Sequence, residues 1–212
     1  MSRIRVLIAD DHAVVRQGLR QILHQAPEIG EIYEAETAQA TFDFIQNNPL
    51  DILILDISLP DGNGLEMLKQ IRKWNPKLPV LILSIFPEEQ YALRTLKSGG
   101  AGYLTKDSHP DQILSAINKI LLGGKYIGDN LASQLAFELG GEKWKTAPYE
   151  NLSDREFEVL RFITLGKTVS EIANTLHLSV KTISTYRSRI LEKTRLKTTA
   201  DLIRFGMENR IA

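Results

Sequence analysis

Five side chains in the first half of the chain have types and spacing that could do chemistry together. Asp10 and Asp11 follow the apolar run Ile4 to Ala9. Asp56 follows Ile52-Leu53-Ile54-Leu55, Ser84 follows Val80-Leu81-Ile82-Leu83, and Lys106 comes just after Gly102-Tyr103-Leu104. If these runs are strands of one parallel sheet, all five residues meet at its carboxyl edge, where ligands of such sheets sit. Three carboxylates there repel one another unless a cation lies among them. Oxygen ligands without Cys or His favour a hard divalent ion such as Mg²⁺, which leaves room for phosphate oxygens. A carboxylate can attack phosphorus to form an acyl phosphate. A metal and a lysine would neutralise charge on the transferred group. None of these residues is specific alone. A single Asp after a strand is usually a turn or cap residue. A single Tyr103 reads as a core aromatic with a wet tip, and Asp61 reads as a turn residue. The set and its order carry the reading.

The elements that must position this set alternate in type. Val14, Val15, Leu19, Ile22 and Leu23 recur at helical spacing. Residues 29–36 alternate weakly, and 38–47, 64–74, 88–98 and 110–122 read as helices. Five βα units with continuous apolar strands predict an α/β doubly wound, five-stranded parallel sheet of flavodoxin-like type. Gly123, Gly124, Gly140, Gly141 and Pro148 then punctuate a linker with a helix expected over 130–139. The expected division is 1–123, a partly helical linker 124–147, and a small all-α domain 148–212. Capping patterns at Ser153–Glu156, Thr168–Glu171 and, more loosely, Thr198–Asp201 mark helices near 154–165, 169–176 and 199–209. A further helix runs from Val180 to Lys193 after the tight turn His177-Leu178-Ser179.

Residues 1–150 hold 15 Lys+Arg against 19 Asp+Glu, whereas 151–212 hold 11 against 7. A basic end on a neutral chain points to a polyanionic partner. With no cysteine, a disulfide framework and a thiolate metal site are excluded. The first apolar run ends at Asp10, too short for a signal peptide core or a membrane span. The expectation is a cytoplasmic protein with no membrane partner.

In the first 123 residues the chain resembles the receiver domain of two-component response regulators. The resemblance rests on Asp10-Asp11, Asp56, Pro60-Asp61-Gly62-Asn63-Gly64, Ser84 and Gly102-Tyr103-Leu104-Thr105-Lys106. It implies that Asp56 is the phosphoacceptor. Mg²⁺ would be held by Asp11, Asp56 and the Ser58 backbone carbonyl, with Asp10 supporting. Lys106 would pair with the phosphoryl group, Ser84 would reorient toward it, and Tyr103 would change rotamer. The surface of about 88–122 would carry the signal. Phosphatases with an aspartyl nucleophile usually carry a second Asp two residues on, where this chain has Ser58.

Residues 152–203 resemble the LuxR-type helix-turn-helix through Leu152-Ser153-x-Arg155-Glu156, Gly166-Lys167-Thr168, Glu171-Ile172-Ala173, Leu178-Ser179-x-Lys181-Thr182-Ile183 and Ile190-Leu191-x-Lys193. The whole chain thus resembles the NarL/FixJ class. On a helical wheel Val180, Ile183, Ile190 and Leu191 point inward. Lys181, Thr182, Thr185, Ser188, Arg189 and Lys193 lie opposite, with Ser184 on the flank and Arg187 near the apolar side. The resemblance assigns base reading in double-stranded DNA to Ser184, Thr185 and Ser188. Phosphate contacts fall to Lys181, Thr182, Arg189 and Lys193. It further implies a sensor histidine kinase, RNA polymerase as a further partner, and a homodimer formed on phosphorylation through helix 199–209, with the unphosphorylated receiver occluding the recognition helix. A regulator that binds DNA without phosphate, using the receiver as a scaffold, is the alternative. Two departures stand out. Arg195 occupies a position where Gly is common, so the recognition helix is expected to end differently. Gly99-Gly100 replaces the usual Gly-Ala and is expected to loosen a helix end.

Overall fold

The computed structural model describes residues 3–128, 132, 149, 151–209 and 211. The helix expected over 130–139 lies outside the described residues. The chain divides into two compact units, Met1–Ala136 and Phe137–Ala212. No helix among the described residues is long and apolar enough to cross a membrane.

In the first unit, strands β1 (Ile4–Ala9), β2 (Ile29–Ala35), β3 (Ile52–Leu55), β4 (Val80–Ser84) and β5 (Gly102–Thr105) form a parallel sheet in the order β2-β1-β3-β4-β5. Helices α1 (Ala13–Leu23), α2 (Ala38–Asn47), α3 (Gly64–Trp74), α4 (Glu88–Lys97) and α5 (Pro110–Leu121) connect and cover it. β3 and β4 are buried at every position, which is why they read as unbroken apolar runs. β2 is an edge strand and mostly half-buried, which is why its pattern is weak. On one face, Val6, Ile8, Ile52, Ile54, Leu81 and Leu83 share a core with residues of α1 and α5. Alternation turns Leu7, Leu53, Leu55, Val80 and Ile82 to the other face, where α3 contributes the buried Leu65, Leu68 and Ile71. Val14, counted with the apolar stripe of α1, is 81% exposed. Leu19 and Leu23 of the stripe are buried in the core, Val15 and Ile22 pack against it, and Arg16 is buried with them.

The strand order reverses between β1 and β3, so the crevice of such a sheet opens where Asp10 and Asp56 end their strands. After Asp56 a two-residue hairpin pairs Ser58–Leu59 with Gly62–Asn63. Asn63 caps α3, its Oδ1 accepting from the N–H groups of Leu65 (3.0 Å) and Glu66 (3.3 Å). Gly64 opens that helix against the strand end. Its N–H donates to the Ile57 carbonyl at 2.8 Å. A Cβ there would lie 2.2 Å from the Asp56 carbonyl oxygen and 2.8 Å from Ile57 Cα. Backbone cannot yield as a side chain can, so Gly64→Ala is expected to cost about 1–3 kcal/mol, read as a lower urea midpoint.

The pair Gly99-Gly100 does not loosen the end of α4. Gly99 takes φ +92°, and the Gly100 N–H closes on the Thr95 carbonyl at 2.8 Å. A Cβ on Gly100 would meet Thr95 Cγ2 at 2.4 Å, so the second glycine permits a tighter turn than alanine would. Beyond α5, Tyr126 forms a parallel bridge to Gly102 on the free side of β5, and its N–H donates to the Ala101 carbonyl at 2.9 Å.

The second unit contains α6 (Asp154–Thr164), α7 (Val169–Thr175), α8 (Val180–Thr194) and α9 (Thr199–Glu208). All three predicted capping patterns are reciprocal boxes, including Thr198 with Asp201. Phe157, Leu160, Ile163, Ile172, Ile183, Ile190 and Leu202 are among its buried apolar residues. α8 does not avoid the left-handed ending. Arg195 adopts φ 58°, and the Leu196 N–H returns to the Leu191 carbonyl at 3.0 Å. The non-glycine residue accepts a cost of about 1–2 kcal/mol to close the helix in this way.

Candidate functional site

The register of the strands assembles the acidic set. Asp56 N–H donates to the Ala9 carbonyl at 2.9 Å, and Asp10 N–H to the Ala35 carbonyl at 3.0 Å, so both residues extend the sheet by one step. Lys106 N–H donates to the Ser84 carbonyl at 2.8 Å, bringing the ends of β4 and β5 together. Lys106 Nζ then lies 2.6 Å from Asp10 Oδ2 and 2.8 Å from Asp56 Oδ2. Asp10 and Asp56 are 1% and 3% exposed, while Asp11 is open to solvent. Oδ1 of Asp56 is buried with no partner at hydrogen-bond geometry.

The electrostatics follow from that burial. Burial, reinforced by the Asp10 charge, raises the Asp56 carboxyl above its ordinary value against the pull of Lys106. Burial alone would lower the Lys106 ammonium, but Asp56 and Asp10 outweigh it and raise it. Ligand atoms of Asp10, Asp11, His12 and Asp56 lie within 4.8 Å of one another. This acidic pocket, with an orphaned carboxylate oxygen, fits a divalent cation.

Ser84 Oγ is fully buried without a hydrogen bond of ordinary geometry. Tyr103 is turned inward, its hydroxyl donating to the Phe86 carbonyl at 2.8 Å. Burial, with Tyr91 nearby, pushes its ionisation far up. Ser58 stands in the hairpin two residues beyond Asp56.

Three residues of this neighbourhood were given no part in the site by sequence. His12 Nδ1 lies 2.7 Å from Asp11 Oδ1, and its only sequence signal was adjacency to the acidic pair. Arg16, 6% exposed, donates Nη1 to the Asp10 carbonyl at 2.8 Å and Nε to Glu34 at 3.0 Å, and also binds Glu36. It ties α1 and β2 to the strand end that carries the acids. A cation on the apolar stripe of α1 was the available clue. Asp61 is more than a turn residue, since its carboxylate accepts from the N–H groups of Ala38 (2.6 Å) and Gln39 (2.9 Å) at the start of α2.

In the second unit α7 and α8 form the predicted helix-turn-helix, with His177 at φ 52° in the turn. Lys181, Thr185, Ser188 and Arg189 are exposed on α8, and Thr182 and Ser184 are half-buried beside them. Thr182 bonds the capping Ser179 Oγ at 2.8 Å. Thr185 and Ser188 hydroxyls donate back to the carbonyls of Lys181 and Ser184. Arg187 turns inward toward Thr199, 3.4 Å away, as the wheel predicted. Lys193 differs from the other cations of the set, because its Nζ lies 2.6 Å from Glu156 Oε2 on α6. Burial alone would raise Glu156, but Lys193 and the Ser153 cap outweigh it and hold the carboxyl below its ordinary value. A lowered carboxyl stabilises the fold above its unfolded value and loses that effect as pH falls through the folded one. Glu156→Gln should therefore lower Tm at about pH 7, with the gap to wild type closing as pH falls below the ordinary carboxylate range.

Residues 6–118 match the family model of the response regulator receiver domain, and residues 150–205 match that of the bacterial regulatory proteins of the luxR family. The chain belongs to the DNA-binding response regulators of two-component signalling, in the NarL/FixJ class, and these are regulators rather than enzymes. The response regulator UvrY of Escherichia coli K12 is 32% identical over 210 residues, 97% of this chain and 96% of UvrY. The oxygen regulatory protein NreC of Staphylococcus carnosus is 30% identical over 214 residues, 98% and 99% of the two chains. A solved structure of RcsB from Salmonella enterica serovar Typhimurium, bound to promoter rprA in the presence of phosphomimetic BeF3⁻, aligns with a TM-score of 0.66. Its identity is 27%, over 96% of this chain and 98% of that one.

Proposed function

We propose that Asp56 accepts a phosphoryl group, and that this controls promoter binding by α8. The observation that carries the reading is the Asp56 carboxylate. One oxygen is held by Lys106, and the other is buried with no hydrogen bond of ordinary geometry at the switch point of the sheet. Asp11 and Asp56, with the Ser58 carbonyl and with Asp10 in support, would hold Mg²⁺. When bound, the ion offsets charge on the phosphoryl oxygens and the carboxylates. Asp56 acts as the nucleophile, with Lys106 opposing the burial that disfavours its ionised form. Lys106, already between Asp10 and Asp56, turns its charge toward the new phosphoryl oxygens. Ser84 Oγ turns to the phosphoryl group, and Tyr103 responds from its inward position beside Phe86. A sensor histidine kinase or a small phosphodonor supplies the group.

On the second domain, Lys181 and Arg189 stand free to meet DNA phosphates, with Thr182 at the helix start. Thr185 and Ser188 release their helix carbonyls to read base edges beside Ser184. Lys193 contributes least while Glu156 holds it. Homodimerisation on phosphorylation, as on the two half-sites of an operator, falls to α9. Its Leu202 is buried inward, so Ile203 and the exposed Met207 are what it offers a second copy. The domain limits 1–123, 124–147 and 148–212, RNA polymerase as a further partner and a cytoplasmic location complete the reading.

The DNA arm is tested by salt titration on non-specific duplex DNA. Arg189→Ala should lessen the slope of log affinity against log salt by about 1, and Lys193→Ala by less. Equal effects of the two, or no effect of Arg189→Ala, would remove α8 as the phosphate-contacting element.

A further inference from the structure

We propose that His12 is a nitrogen ligand of the acidic pocket, so that the receiver also takes borderline transition-metal dications such as Co²⁺ or Zn²⁺. The inference rests on the reading of that pocket as a cation site. His12 Nδ1 lies 2.7 Å from Asp11 Oδ1 and 3.3 Å from Asp10 Oδ1. Neighbouring donors on an octahedron with bonds of roughly 2.1 Å are about 3 Å apart, between those two separations. The ring is brought there by the local turn, in which His12 N–H donates to Asp10 Oδ1 at 2.9 Å. It has no capping duty, for the His12 side chain makes no hydrogen bond to the N-terminus of α1. Lys106 occupies one oxygen each of Asp10 and Asp56. The remaining inward donors are Asp10 Oδ1, the Asp11 carboxylate, His12 Nδ1 and Asp56 Oδ1, and the last, buried with no hydrogen bond of ordinary geometry, is the independent sign of a cation site.

A bound dication takes both the Asp11 oxygen and the His12 nitrogen as donors. Mg²⁺ gains little from imidazole, whereas Co²⁺ and Zn²⁺ gain a preferred ligand. A pocket of three carboxylates alone would lack that discrimination.

The test is calorimetric titration of the full chain with Co²⁺ and, separately, Mg²⁺, in wild type and His12→Ala. The ratio of Co²⁺ to Mg²⁺ affinity is expected to fall about tenfold or more in the variant. An independent readout on wild type alone is the His12 imidazole resonance, which should shift in step with Co²⁺ binding. Mg²⁺ binding with an unmoved ratio and an unshifted imidazole would overturn the His12 ligand and leave the cation site standing. Failure of both ions to bind wild type would overturn both, and failure of Co²⁺ alone would overturn the His12 ligand. Co²⁺ binding retained in full by the combined Asp11→Ala, His12→Ala variant would place the ion elsewhere and overturn the proposal.

Discussion

Incubation with acetyl phosphate and Mg²⁺ will add one phosphoryl group to the wild-type chain and none to Asp56→Asn, read by intact mass. Asn keeps the size of the side chain, so the pocket geometry survives while the nucleophilic oxygen is lost. Other acids cannot substitute at this position. Asp10 is held at its N–H by β2, at its carbonyl by Arg16, at Oδ1 by the His12 N–H and at Oδ2 by Lys106. Asp11 is open to solvent. The same variant separates the two regulatory readings. If phosphorylation governs promoter binding, the phosphodonor raises DNA affinity in wild type only. If the receiver is a scaffold, Asp56→Asn binds DNA like wild type and the donor changes nothing. An adduct on Asp56→Asn would move the acceptor to another residue.

Lys106→Met should be the most destabilising single change at the site, and Mg²⁺ should restore much of the loss. The lysine stands between two carboxylates that are almost fully buried. Removing one partner of a buried ion pair leaves uncompensated charge and costs about 3–5 kcal/mol. Two acids sharing one cation make the upper part of that range appropriate without the metal. A divalent ion binding only the folded chain would add stability by mass action while offsetting the same charge. The measurement is urea unfolding of wild type and Lys106→Met, with Mg²⁺ and with chelator. A double variant with Asp56→Asn should lose less than the sum of the single losses, because the stranded charge is halved. Equal destabilisation with and without Mg²⁺ would show that Lys106 stabilises by packing and not by charge.

The sheet was legible in the sequence because its inner strands are covered on both faces. Ile52–Leu55 and Val80–Ser84 are buried throughout, and nothing but apolar residues and a terminal polar one fits such positions. The acidic set was legible for a related reason, since strand ends in parallel register bring distant positions together. The capping boxes of the second unit gave three helix starts directly. Features that depend on contacts between elements were less accessible. Arg16 reads as a surface cation until Glu34 and the Asp10 carbonyl are placed around it. Lys193 sat on the cationic face of a wheel, yet Glu156 from α6 reaches it across the bundle. Arg195 was judged by intrinsic preference, and the closing hydrogen bonds of α8 outweighed it.

The bridge at Tyr126 bears on solubility as well as on connectivity. β5 is the last strand of its sheet, and a last strand shows unpaired N–H and C=O groups on which another chain can add itself. Tyr126 meets Gly102 there and takes up the Ala101 carbonyl. The residues that lead out of the receiver therefore act as a selvedge, finishing a border that would otherwise fray into intermolecular pairing.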